Sequence, residues 1–200
     1  MYTTVSRIIL GLLMLCGWHV QANTETIQFD VFLFGNKIGT SVLTREKPND
    51  STEVFTLKTK AKATILWIDR DNQTTYEVVY RHGRLYSSAT REVENGSVKN
   101  WNKVQSDGTR YTITDAKGER TVNEVPKFSI VKVFFEDATK VNRLFFESDG
   151  SMYTMLHPEP NTCEFKSKDG GRNIYRYVNG RLEMVEFHVT FATVHLKRVK

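Results

Sequence analysis

Cysteine is almost missing from this chain. Of 200 residues only Cys16 and Cys163 are cysteines, and Cys16 sits in an N-terminal apolar run that reads as part of a leader. A mature chain with one thiol has no internal disulfide, so a packed core must hold the fold. Cys163 has no nucleophile motif around it and reads as a small, half-buried strand residue. Long apolar runs are scarce too. The run Ile8 to Cys16 is shorter than the roughly 20 residues a membrane-spanning helix needs, and the rest of the chain carries no transmembrane span. Charge of one sign is also lacking. The formal charge of +5 falls to +4 once Arg7 is removed with residues 1–22, and the bases are scattered, which argues against nucleic acid as a partner.

Catalytic signatures are absent as well. The chain has no G-x-S-x-G elbow, no H-E-x-x-H and no phosphate-cradling glycine loop. His157-Pro158-Glu159 with Cys163 has part of a zinc-deaminase pattern, but that chemistry needs a second nearby cysteine. Asp69-Arg70-Asp71 starts like a calcium loop, yet Thr74 stands where glycine is needed and Tyr80 where glutamate is needed, so it reads as a polar turn. His188 and His195 lie seven apart on what reads as one strand, which places them on opposite faces unless a bulge changes the parity. No catalytic residue, metal ligand or cofactor is assigned, and the balance leans against an enzyme.

What is present begins with the N-terminus. Arg7, the apolar run and Val20-Gln21-Ala22 predict a secretory signal peptide over residues 1–22. Leu15 before Cys16 argues against lipidation there. The expectation is an exported protein, periplasmic or associated with the outer membrane, with one β-rich domain over residues 23–200. At 40% hydrophobic and 26% charged residues, such a chain can bury a real core.

Along the chain, strand patterns alternate with turn signals. Ile27, Phe29, Val31 and Leu33 share one face of a first strand. Glu53 to Ile68 reads as one long strand with Lys58, Lys60 and Lys62 outward, followed by a turn at Asp69 to Asn72. Tyr76, Val78 and Tyr80 share a face of the next. His82-Gly83, Asn95-Gly96, Asp107-Gly108 and Lys117-Gly118 punctuate at roughly ten-residue intervals, a hairpin pattern, and Asn179-Gly180 separates two later strands. Val185, Phe187, Val189 and Phe191 alternate, and then Ala192, Val194 and Leu196 do so one residue out of phase. That slip predicts a β-bulge near Phe191 or Ala192 in one long strand. The fold expected is mainly β: an antiparallel meander curled into a barrel or half-barrel.

Between these strands lies Pro126 to Asp137. Phe128, Val131, Phe134 and Phe135 form a helical stripe, and Pro126 suits a helix start, so one short helix over about 127–137 is expected to pack on the sheet. The β-branched residues Ile130, Val131 and Val133 keep a strand reading open, with Lys132 the exception to alternation.

Gly171 to Tyr177, Asn179-Gly180-Arg181-Leu182, the strand Leu144 to Gly150, Phe29-Asp30-Val31 and Gly35 to Gly39 together resemble a family of exported bacterial proteins classed as a domain of unknown function. The resemblance implies a curved antiparallel β fold and an envelope location over nearly all the mature chain. It implies no activity, so it carries over no site residue.

Two functions fit. The first is a binding module holding an apolar or amphipathic small molecule, such as a lipid, inside the curl. Its candidate lining is Phe29, Val31, Trp67, Tyr76, Phe134, Phe135, Phe187 and Phe191. The second is a structural or assembly protein that docks an envelope partner through exposed strands or aromatic surface.

Overall fold

The computed structural model describes residues 23–65, 67–168, 170–189 and 192–200. The leader expected at residues 1–22, with Cys16, and Phe191 lie outside these. Among the described residues, twelve strands form one antiparallel sheet. In chain order they are β1 (Asn23–Leu33), β2 (Asn36–Asn49), β3 (Thr52–Ile65), β4 (Ile68–Arg81), β5 (Arg84–Glu94), β6 (Ser97–Ser106), β7 (Tyr111–Asp115), β8 (Gly118–Val122), then β11 (Thr162–Lys166), β12 (Arg172–Val178), β13 (Arg181–Val189) and β14 (Ala192–Arg198). Between β8 and β11 come the one-turn helix α1 (Ile130–Val133) and a separate hairpin, β9 (Arg143–Phe146) with β10 (Ser151–Thr154).

The spatial order is β11-β12-β13-β14-β1-β2-β3-β4-β5-β6-β7-β8. Every neighbour is next in sequence except β14 and β1, where Phe29 stands opposite Arg198. The sheet is a half-barrel: β8 and β11 do not pair with each other. Its curl comes from local irregularities. Register shifts occur at Val31/Phe32, Val79/Tyr80, Glu92/Val93 and Arg176/Tyr177, and each extra residue bends and twists its strand. The hairpin turns behave as their sequences require. Both residues of His82-Gly83, Asn95-Gly96 and Asn179-Gly180 have positive φ, which suits the right-handed twist of the flanking strands.

α1 and the β9–β10 hairpin fill the concave side. Phe134 meets Phe29 of β1 edge-on at 5.5 Å, Phe135 meets Phe55 of β3 at 5.6 Å, Phe145 meets Tyr111 of β7 at 5.4 Å and Phe146 meets Phe165 of β11 at 5.7 Å. One short insert therefore touches the first strand, the middle and both ends of the sheet. The hydroxyl of Tyr177 on β12 donates to the Val133 carbonyl at 2.9 Å, satisfying an acceptor at the helix end.

Three expectations change in detail. The helix covers only 130–133, not about 127–137. Ser129 is extended and bridges Phe145, with the Phe128 carbonyl accepting from the Phe145 amide at 3.0 Å, so the segment is strand-like before Ile130, and the β-branched Ile130, Val131 and Val133 themselves are helical. Asp69 to Asn72 is not a turn but part of β4. The chain turns at Trp67, and the acidic residues are held across the ladder by Lys62 on Asp71 at 2.8 Å and Thr64 on Asp69 at 2.7 Å. The phase slip near Phe191 is not a bulge in one strand. β13 and β14 are antiparallel partners with Val189 opposite Ala192, so Phe187 faces Val194 and Val185 faces Leu196 on one side. The same reversal puts His188 and His195 on a common face, His195 opposite Glu186.

Candidate ligand cavity

The alternation that builds the wall also leaves a space. A cavity of about 290 Å³ lies on the concave side, bounded by β1 to β5, β13, β14, α1 and β9. Its apolar lining comes from Val31, Leu57 and Leu196 on the wall, Ile130 and Phe134 on α1, and Phe146 on β9. Ile38 also lines it. Ile38 is the extra residue of the β1–β2 bulge, because Val31 pairs with Gly39 and Phe32 with Lys37. Phe187 and Val194, opposite each other across β13 and β14, complete the apolar side. Gly39 lets β2 and β3 approach closely at this point, since a Cβ there would lie 2.0 Å from the Lys60 carbonyl oxygen.

One side of the cavity is polar. Ser41 and Thr59 hydroxyls hydrogen-bond each other at 2.7 Å, and Asn72, Thr74, Tyr76 and Glu92 line the space beside them. Glu92 accepts a hydrogen bond from the Ser148 hydroxyl at 2.6 Å. Ser148 belongs to the β9–β10 turn, which Asn100 also holds at 3.2 Å through its backbone carbonyl. Burial, helped by the Glu92 carboxylate, pushes the Tyr76 phenol upward, so it stays a neutral hydroxyl at any physiological pH.

In the same turn, Glu147 is fully buried, and its Oε2 accepts from the Ile130 amide at 3.1 Å. Burial pushes its carboxyl up to about 7, against the opposing effect of Ser129 and the backbone amides beside it. Cys163 is buried and its thiol is pushed up to about 12, chiefly by desolvation; such a thiol is a core group rather than a nucleophile. Among the described residues no three His, Cys, Asp or Glu side chains are grouped to hold a metal, and no helix is long and apolar enough to cross a membrane. Hollows of about 510 and 630 Å³ occur elsewhere, one between β8 and the β9–β10 turn with Asp115, Lys117, Arg120 and Lys168, the other along Glu77, Ser87, Lys103 and Glu119. Both are lined largely by charged and polar side chains.

Of the eight residues singled out from sequence, Val31, Tyr76, Phe134 and Phe187 line the 290 Å³ cavity. Phe29 is fully buried against Phe134. Phe135 points to different surroundings, against Phe55 and under the Arg45 guanidinium at 5.2 Å. Trp67 is 93% exposed at the β3–β4 tip, with φ of 65°. Phe191 lies outside the described residues. Ile38, Asn72, Thr74 and Glu92 carry no sequence signal for this role. Leu57 and Leu196 do, because they fall on the inward parity of their strands.

The family model for DUF6134, a domain of unknown function, matches residues 29–199. No curated protein matches the sequence. The solved structure of the beta-barrel-like protein of domain of unknown function DUF1849 from Brucella abortus is similar, with a TM-score of 0.54 and 12% identity over 88% of this chain and 95% of that one. At that identity the likeness is one of fold.

Proposed function

The chain belongs to the DUF6134 family, and on that premise we propose that it is an exported binding module that holds one small apolar or amphipathic molecule inside its half-barrel. The observation that carries this reading is the 290 Å³ cavity, apolar on most of its surface with a few polar groups at one side. Small-ligand sites have that composition and start at roughly 300 Å³. The leader-like sequence at residues 1–22 supports an envelope location.

Binding of the neutral dye N-phenyl-1-naphthylamine tests it by fluorescence. The wild-type chain should enhance and blue-shift the dye's emission. Val194→Trp, which fills the cavity from β14, should weaken binding at least about tenfold while changing stability by less than about 1 kcal/mol. Native mass spectrometry of protein purified from its own compartment should show an added small-molecule mass. A bare polypeptide mass together with dye binding unchanged by Val194→Trp would overturn the reading. The second reading, docking of an envelope protein, is favoured by the free edge of β8 and the exposed Trp67–Ile68 tip. Crosslinking in intact cells to a stoichiometric partner through those residues would support it instead.

A further inference from the structure

The polar side of the cavity has a sign. Among the described residues, its one charged lining residue is Glu92, and no Lys, Arg or His lines it. The neighbouring lining residues Asn72 and Thr74 are neutral, and Thr74 stands opposite Glu92. Two residues from Asn72 on the same face of β4 is the cation Arg70. Arg70 is already ion-paired with Glu94, which lies two residues from Glu92 on β5 and opposite Asn72. The three charges therefore leave a net negative rim. Ser148 donates to Glu92 from the protein side, and a second donor would come from whatever occupies the cavity.

Resting on the cavity reading above, we propose that the occupant is a medium-chain amphiphile whose polar end is a hydrogen-bond donor, an amine or a hydroxyl, and not a carboxylate or phosphate. Its chain packs against Ile130, Phe134 and Leu196 and its head faces Glu92. A charge-assisted bond from an ammonium to this carboxylate is the strongest pairing available there. An anionic head would meet a like charge in a partly desolvated space, with no Lys, Arg or His among the described lining residues to compensate it.

Displacement of N-phenyl-1-naphthylamine from the full mature chain, at pH 7.5, compares three probes with one chain length: octylamine, 1-octanol and octanoate. Octylamine is expected to displace the dye at a concentration at least about tenfold lower than octanoate, with 1-octanol between them. Glu92→Gln keeps an acceptor for Ser148 and should bring the octylamine and octanoate values to within about threefold, with 1-octanol little changed. Octanoate equal to or better than octylamine on the wild type overturns the proposal, as does a preference that Glu92→Gln leaves intact. A dye that binds but yields to none of the three also overturns it. A dye that never binds defeats the cavity reading itself, and this proposal with it.

Discussion

Phe134 and Phe135 are adjacent in sequence and face two different interiors. Phe134 lines the 290 Å³ cavity, among aliphatic and aromatic side chains that do not close the space. Phe135 packs on Phe55 beneath Arg45, on the side of α1 where charge and aromatic rings fill the volume. Lys132, only 6% exposed, is the centre of that side. Its Nζ lies 3.1 Å from Glu53, 3.3 Å from Glu136 and 4.4 Å from the Tyr80 ring centroid. Arg45 in turn pairs with Glu25 at 2.6 Å, and Lys47 with Glu53 at 3.4 Å. One side of the insert is thus stapled by directional contacts and the other is loosely lined. The first holds the helix in place. The second leaves room for something else.

The largest effect is expected on the stapled side. Lys132→Ala would leave Glu53 and Glu136 without their shared cation and should cost about 3 kcal/mol in urea unfolding. A loss below about 1 kcal/mol would show that the charged side is not what anchors α1. A change of pH acts between the two sides, at Glu147. Its carboxyl, at about 7 when folded against 4.5 as the ordinary value, binds a proton more tightly in the native chain. Stability from this group is therefore fully present below pH 4.5 and is lost as pH rises through 7, by roughly 3 kcal/mol at most. Glu53 is held below its ordinary value, despite burial, by Lys132 and Lys47, so it works in the opposite direction at lower pH. Glu147→Gln should flatten the decline between pH 5 and 8 in thermal melts. An unchanged slope would remove Glu147 as its source.

Smaller effects are expected toward the cavity. Gly39→Ala places a Cβ on the backbone of Lys60 and Ala61 beside Ile38 and should cost about 2 kcal/mol, with weaker dye binding as β2 moves away. Dye binding that holds while stability falls would separate the β2–β3 contact from the cavity. Smallest is Trp67→Ser at the exposed β3–β4 tip. Stability should stay within about 0.5 kcal/mol and dye affinity should not move. A marked loss of either would mean that the tip folds back onto the cavity.

The strands were legible because inward parity and turn residues agree: Ile27 to Leu33 and Tyr76 to Tyr80 bury the faces their alternation marks. The run from Phe128 to Phe135 was legible as buried, but its length as a helix was not. Ser129 takes an extended form because β9 offers Phe128 a backbone partner 17 residues further on, which no local pattern reveals. Asp69 to Asn72 has turn chemistry by composition, and cross-strand partners on β3 and β5 override it. Lys132 looked like the exception to a strand's alternation, because its partner Glu53 is distant in sequence. The reversal between β13 and β14 lacks the glycine that marks turns such as His82-Gly83, Asn95-Gly96 and Asn179-Gly180, so it presented itself only as a change of phase. Four of the eight candidate lining residues do line the cavity, and Val31, Tyr76 and Phe187 among them were legible for the same reason as the strands. Glu92 was not, since a lone carboxylate on a strand looks the same whether it faces solvent or a ligand.

The seam between β1 and β14 has a consequence for how the molecule is made. The opening strand finds its second neighbour only when the closing strand exists, so assembly must bring together segments from the two extremes of the polypeptide before the wall is continuous. Joining such remote segments is entropically slow. Until it happens, Phe29 and Val31 have one flank bare, and a nascent or shortened chain ending before Ala192 would present an adhesive margin to any other strand it encountered.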